Sequence, residues 1–323
     1  MRVFSAVMPS GNLHIGNYIG AIKNWLELQN KYQCIFSIAN YHAITVKQDP
    51  KILNKKILEI AKIYLASGLD PKKVTIFIQS YINEHTELAW ILGTLTKISE
   101  LERMTQFKEK AKQHKENINL GLFSYPVLQA ADILLYQTEI VPVGEDQKQH
   151  IEFTANLAKK FNRLFGETFI IPEALIKEEG ARIMGLDNPL KKMSKSAESP
   201  YNYLGLLDPL ELVEKKIAKA ITDSGAEIKF LKDKPAIFNL LTIYKILSKL
   251  SKKEVEEKFK NSNYADFKKE LTKIVKEFLE PLQENFYKIK DKEAYEILQD
   301  GADKASRIAK KTIKQVKEKI GLI

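Results

Sequence analysis

Short apolar runs and stretches of helical periodicity take turns over the first half of this 323-residue chain. Val3–Val7, Cys34–Ile38, Val74–Ile78 and Ile140–Val143 read as strands, and Gly16–Asn30, Pro50–Ser67 and Thr86–Thr96 between them read as helices. Strands separated by helices pair side by side in parallel, so this half is expected to form an α/β fold, a doubly wound parallel sheet with helices on its faces. A charged helical stretch, Leu101–Asn117, follows. Beyond about Asp208 strand patterns stop. Pro209–Ile221, Ile237–Leu250, Lys252–Phe259, Tyr264–Leu279 and Lys292–Ile320 all read as helices, with Pro281 as punctuation. Two domains are therefore expected, 1–205 and an all-helical 206–323. The last helix is expected to pack back on the body through Ala294, Ile297, Leu298, Ala302, Ala305, Ile308 and Ala309.

Ser124–Glu152 looks like the centre of the first domain. Val127, Leu128, Ala130, Ala131, Ile133, Leu134 and Leu135 make its helix apolar almost all round, which predicts burial. Pro126 is expected in the first turn, where a missing N–H costs nothing. One carboxylate, Asp132, sits mid-helix. The strand Ile140–Val143 then delivers Gly144, Glu145, Asp146 and Gln147 to its carboxyl end, where open α/β sheets bind ligands.

Composition narrows the setting. A single cysteine, Cys34, leaves no internal disulfide and no cysteine-based metal cluster, which suggests a reducing compartment. The N-terminus reads as a strand and lacks a signal peptide's apolar core. No run approaches the roughly 18 apolar residues of a membrane helix. A soluble, cytoplasmic protein without a membrane partner is expected. The formal net charge of +10 fits a polyanionic partner, although lysine-rich surfaces also occur without one.

Two stretches carry chemistry. Met8-Pro9-Ser10-Gly11-Asn12-Leu13-His14-Ile15-Gly16-Asn17 joins the first strand to the first helix. Its glycines let backbone approach a phosphate at a helix N-terminus, and His14 can donate to a phosphate oxygen. Alone, it also suits an ordinary glycine-rich turn. Lys191-Lys192-Met193-Ser194-Lys195-Ser196 follows Pro189. Its lysines suit a mobile clamp on a triphosphate, and equally a solvated face.

Together, His-Ile-Gly-Asn and Lys-Met-Ser-Lys-Ser resemble the two signatures of class I aminoacyl-tRNA synthetases. Gly144–Glu152, Ala181-Arg182-Ile183-Met184 and Glu100–Lys108 are similar to the bacterial-type tryptophanyl branch, from Val3 to near the C-terminus. The resemblance implies a Rossmann-like catalytic domain and an anticodon-binding helical domain. It also implies ATP and Mg²⁺ as cofactors, L-tryptophan and tRNA(Trp) as partners, a homodimer, and no DNA. No metal ligand among the side chains is implied.

The same resemblance assigns roles. His14, Asn17, Lys110, Lys192 and Lys195 would carry catalysis. Pro9, Ser10, Gly11, Gly16, Gly144, Asp146, Ile183, Met193 and Ser194 would join His14, Asn17, Lys192 and Lys195 around ATP, with Asp146 on the ribose. Phe4, His42, Tyr125, Gln129, Asp132, Val141, Val143 and Gln147 would surround tryptophan, with Asp132 on the indole N–H. Indole N–H only donates, so a buried acceptor suits it. The alternative for Asp132 is a carboxylate satisfied by its neighbours, and for His42 plain packing. Three departures stand out. Met8 replaces a usual glutamine, Ala6 a usual glycine, and Gln129 a methionine common in tryptophan enzymes. Tyr125, Gln129 and Asp132 reproduce a pattern of the related tyrosyl enzymes, which makes tyrosine the rival substrate. A non-catalytic relative that binds tRNA or an amino acid is a second alternative.

Overall fold

The computed structural model describes residues 1–108, 118–176, 182–194, 197, 199–225 and 227–323. The chain forms two compact units. The first takes Met1–Ser10, Trp25–Ile176 and Lys290–Ile323, and the second Gly11–Asn24 and Lys177–Ile289. Compactness thus divides the chain elsewhere than at 205/206, because one turn and one terminal helix pack with residues far away in sequence.

The first unit holds a five-stranded parallel sheet. Its strands are β1 (Arg2–Val7), β2 (Gln33–Ile38), β3 (Val74–Ile78), β4 (Ile140–Pro142) and β5 (Glu173–Leu175), in the order β3-β2-β1-β4-β5. Cys34 to Ile38 are all buried, as expected of a central strand covered on both faces. Val3 pairs with Cys34 on one side and Ile140 on the other, so Phe4 and Val141 are neighbours across the β1–β4 seam. The four expected strands form. The fifth, β5, was not expected. It is three residues long, too short for a periodic signal, and its place is set by pairing with β4.

The helix Leu120–Leu134 begins earlier than expected. Its start is set by Asn119, whose side chain accepts from the Leu122 N–H at 2.9 Å. Pro126 therefore lies in the helix interior and not in the first turn. Pro281 likewise does not end its helix, which continues from Tyr264 to Lys288. Pro281 is exposed, so water can satisfy the carbonyl freed one turn earlier. The helix Lys148–Phe165, absent from the expected elements, turns His150, Ile151, Thr154, Leu157, Ala158 and Phe161 inward and stops at Gly166, whose φ is 92°. Among the described residues no helix is long and apolar enough to cross a membrane.

The C-terminal helix, Asp291–Lys319, lies against β3, the helix Pro50–Ala66 and the helix Glu84–Leu95. It buries Ala294, Leu298, Ala302, Ala305 and Ala309 from the expected stripe. Its decisive residue is Gly301. A Cβ there would stand 1.9 Å from the Ile76 carbonyl oxygen, which belongs to the backbone of β3. Small residues let helix and strand approach until only glycine fits.

In the second unit, the helices Leu210–Lys219 and Pro235–Ser248 both pack on Tyr264–Lys288. Tyr244, Phe259 and Phe267 meet edge to face at its centre. Gly301→Ala is expected to destabilise the protein by about 3 kcal/mol, the upper range of overpacking costs. Alanine's better helix propensity offsets only about 1 kcal/mol of that. Urea denaturation followed by circular dichroism measures the difference, and an unchanged midpoint would refute the close approach.

Candidate active site

Asp132 is the one acidic side chain in the buried helix Leu120–Leu134, and it is 2% exposed. A charge buried this way persists only with donors around it. Three arrive from elsewhere in the first unit. Gln79, just past the carboxyl end of β3, donates to Oδ1 at 2.8 Å. His85 Nδ1 donates to the same oxygen at 2.7 Å, and His42 Nε2 donates to Oδ2 at 2.7 Å. Burial pushes the Asp132 carboxyl up, but at the acid pH where it titrates the charges and N–H bonds of protonated His42 and His85 outweigh it. The carboxyl is held well below its usual range.

Around this carboxylate stand aromatic rings. Tyr136 gives its hydroxyl to His85 Nε2 at 2.8 Å and stacks on Phe4 with 5.5 Å between centroids. Burial first, then the charges of Asp132 and Glu84, push the Tyr136 phenol up, so it stays protonated. Tyr125 stands edge-on to His42, and its hydroxyl lies 3.0 Å from His150 Nε2. Gln129 is half-buried, three residues before Asp132 on the same helix, a spacing that puts the two side chains on one face.

At the carboxyl end of β4, Gly144 leads into the 3₁₀ turn Glu145–Gln147. Asp146 is exposed there, and its Oδ2 accepts from Gln106 at 3.3 Å and Gln147 at 3.2 Å. Gln149 accepts from the Thr105 backbone and hydroxyl and donates to the Arg103 carbonyl. Two stretches far apart in sequence, Arg103–Gln106 and Gly144–Gln149, are thereby tied together.

The second unit carries the other group. The Asn17 side chain accepts from the His14 backbone N–H at 3.1 Å, closing the first turn of the helix that starts at Ile15. Gly16 leaves the His14 ring its place, because a Cβ would stand 3.0 Å from that ring and 3.5 Å from Ile183. Gly11 has φ 142°, a region that disfavours side chains. The next residues, Tyr18–Ile22, wind as a π-helix, a feature that recurs at functional sites. Leu13–Ile15 pair with Leu204–Leu206, through Ile15 N to Leu204 O and Leu206 N to Leu13 O, both 2.9 Å. That second segment is pinned by Lys216, whose buried ammonium reaches Asp208 at 2.6 Å and the Tyr203 carbonyl at 2.9 Å.

Ile183–Gly185 and Lys191–Met193 run antiparallel, with Met193 N on Ile183 O at 2.9 Å. Asn239 clamps the Met184 backbone by two bonds of 2.8 Å. Asn202 accepts from Ser194 N at 2.8 Å and donates to Asp187. Lys192 is exposed, while Ile183 and Met193 are buried.

The expected site residues thus form two groups. Phe4, Pro9, Ser10, His42, Tyr125, Gln129, Asp132, Val141, Val143, Gly144, Asp146 and Gln147 belong to the first unit. Gly11, His14, Gly16, Asn17, Ile183, Lys192, Met193 and Ser194 belong to the second. Lys110 and Lys195 lie outside the described residues. The sequence reading missed Gln79, His85, Tyr136, Gln106 and Asn239. A polar residue directly after a parallel strand is the one signal that marks Gln79.

Residues 1–280 match the family model for class I tRNA synthetases (W and Y). The chain belongs to that class. A tryptophan–tRNA ligase of Caldanaerobacter subterraneus subsp. tengcongensis is 52% identical over 100% of this chain and 98% of its own. A crystal structure of tryptophanyl-tRNA synthetase from Mycoplasma pneumoniae superposes with a TM-score of 0.93 at 37% identity, covering 99% of this chain and 97% of that one. The Campylobacter jejuni enzyme, complexed with ADP and tryptophan, gives 0.85 at 39% identity, covering 99% of this chain and 100% of its own. Within the class, the branch is that of the tryptophan–tRNA ligases.

The depressed Asp132 carboxyl sets a pH dependence. Its stabilisation is fully present above the unfolded value of about 3.9 and is lost as pH falls through the folded value below it. The urea-midpoint difference between the native chain and Asp132→Asn is expected to hold steady from neutral pH down to about 5 and to shrink below about 4. A difference independent of pH would show that the carboxylate is not held ionised.

Proposed function

We propose that this chain activates L-tryptophan with ATP and transfers it to tRNA(Trp). The observation that carries this reading is the buried carboxylate of Asp132. From the described residues it accepts three hydrogen bonds, and a carboxylate has about four acceptor sites. One remains, on Oδ2, beside His42. A donor-only group such as indole N–H completes it. Leaving it unpaired in a buried site is costly, which supports selection without an editing step.

In the reaction the tryptophan carboxylate attacks the ATP α-phosphorus, the bond to the β-phosphate breaks, and pyrophosphate leaves. A hydroxyl of the tRNA's terminal ribose then attacks the adenylate carbonyl and AMP leaves. Neither step uses a protein nucleophile, so positioning and charge stabilisation carry the catalysis. We assign His14, Asn17, the Gly16 backbone, Pro9, Ser10, Gly11, Ile183, Met193 and Ser194 to holding ATP, with Gly144 and Asp146 on its ribose. Lys192, together with Lys110 and Lys195, draws on the leaving phosphates. Phe4, Val141, Val143 and His42 line the tryptophan pocket, and Tyr125 and Gln147 hold its ammonium. Gln129 is assigned a place against the ring, where methionine is common in tryptophan enzymes. Among the described residues no group of three or more His, Cys, Asp or Glu gathers as a metal site. Mg²⁺ is assigned to the ATP phosphates, the usual way this ion is held.

The division at 205/206 is kept as a functional one, with 206–323 contacting the anticodon end. Supporting this, Lys268, Lys269, Lys273 and Lys276 line a groove between Leu210–Lys219 and Tyr264–Lys288 together with Glu214, Glu277 and Glu280. Lys276 pairs with Glu214 at 2.6 Å, Lys269 with Asp266 at 3.6 Å, and Lys268 donates to the Ala218 and Ala220 carbonyls. Lysines in such a row make sequence-independent phosphate contacts. The working form is proposed to be a cytoplasmic homodimer. Trp90 is 78% exposed and Leu120 77%, on helices that pack together in the first unit. Large apolar surface of that kind marks an interface.

ATP–pyrophosphate exchange is expected with tryptophan and not with tyrosine. Exchange driven by tyrosine would make Gln129 a reporter of specificity, and exchange with neither would favour the non-catalytic relative. Trp90→Glu is expected to convert a dimer into a monomer in sedimentation at micromolar concentration. An unchanged dimer would move the interface elsewhere.

A further inference from the structure

The donors that surround Asp132 do not act alone. His85 is fully buried, and the two bonds of its ring run in opposite directions. Nε2 meets the Tyr136 hydroxyl at 2.8 Å, and Nδ1 meets Asp132 Oδ1 at 2.7 Å. A neutral imidazole has one donor and one acceptor nitrogen. With the Tyr136 O–H donating to Nε2, the proton of His85 must sit on Nδ1, directed at the carboxylate. The bond made by one ring nitrogen thus sets the tautomer of the other.

The ring is also held in its plane. Phe77 stacks on His85 at 5.9 Å between centroids and stands edge-on to Tyr136 at 5.7 Å. Tyr136 is held in turn by its stack on Phe4. On the other flank, Gln79 accepts from the Tyr41 backbone N–H at 3.0 Å. That fixes the amide so that its NH₂ faces Asp132. Oδ1 therefore carries two rigid donors and has no acceptor site left for a substrate. Among the described residues Oδ2 carries only His42, the one donor of the three that is partly exposed.

We infer that Tyr136 and His85 are positioning residues for substrate selection, which saturate one oxygen of Asp132 so that the other presents a single directed acceptor to the indole N–H. The inference rests on the reading of Asp132 proposed above and deepens it. Neither residue touches the substrate. Tyr136 acts through His85, and His85 through Asp132. The rigidity matters more than the charge. A carboxylate free to rotate could offer either oxygen, or take a water, and the penalty for a substrate without the N–H would fall. Buried networks of this kind specify one geometry only while every member is satisfied.

The experiment compares L-tryptophan with its benzothiophene analogue, in which sulfur replaces the indole N–H, in ATP–pyrophosphate exchange by the full-length chain. The variants are Tyr136→Phe, which removes one hydroxyl, His85→Leu, and His85→Asn, which keeps an amide donor near the place of Nδ1. The ratio of kcat/KM for tryptophan over the analogue is read for each. The native chain is expected to prefer tryptophan. Tyr136→Phe and His85→Leu are expected to lower that preference by about ten- to a hundredfold, the worth of one hydrogen bond to a charged group. The change is expected in the KM for tryptophan, with the analogue's constants nearly unmoved and with partial recovery in His85→Asn. A merely structural role would depress both substrates alike and leave the ratio intact. Folded variants with the full native ratio would overturn the inference. A native chain without any preference would overturn the reading of Asp132 and the inference with it, and is told apart because it shows before any substitution. Tyr136→Phe keeps the test open if a His85 variant does not fold.

Discussion

A carboxylate inside an otherwise apolar helix is the constraint from which the first unit is arranged. Asp132 can stay ionised there only because donors come to it, and they come from three separate places in the chain. His42 follows β2, Gln79 follows β3, and His85 opens the helix Glu84–Leu95. Each donor needs its strand or helix at the right height. The parallel register of β1, β2 and β3 therefore does more than build a sheet, because it brings the ends of consecutive strands level beside one helix. Losing that register would leave an unpaired buried charge, a heavier penalty than most packing defects.

The second unit solves a different problem. Its two motif stretches are irregular backbone, which must find partners outside helix and sheet. Leu13–Ile15 find them in Leu204–Leu206, and Ile183–Met184 find them in Lys192–Met193 and in Asn239. The buried Lys216 holds Asp208 and the Tyr203 carbonyl, so the segment that supports His14 is tied to the helix Leu210–Lys219. Polar side chains reaching backbone, more than apolar contacts, give these loops their shape.

Much was legible from residue order. Strands β1 to β4 and the helical second half could be read because period and β-branched content are local properties. Asp132, Asp146, His14 and Lys192 could be singled out as candidates, Asp132 as a lone acid in an apolar helix and the others through the resemblance of their stretches to family signatures, and their roles are proposals. Pro126 and Pro281 misled for the same local reason. A proline reads as a boundary, yet Asn119 moved one helix start upstream and exposure made the other proline tolerable. Gln79, His85 and Tyr136 could not be read. Their partners lie dozens of positions away, and nothing in a neighbouring residue records that distance. Gly301 was equally silent, as a glycine in a helix gives no sign of the strand that touches it.

Sequence by itself determined the class of fold, the two signature loops and the acid on which substrate choice is proposed to turn, because each is written in contiguous residues. Tertiary structure alone decided how many acceptor sites that acid has left. Two donors occupy one oxygen and a single donor the other. That asymmetry arises where β2, β3 and two helices converge, and hydrogen-bond direction exists only once backbones have been placed in space.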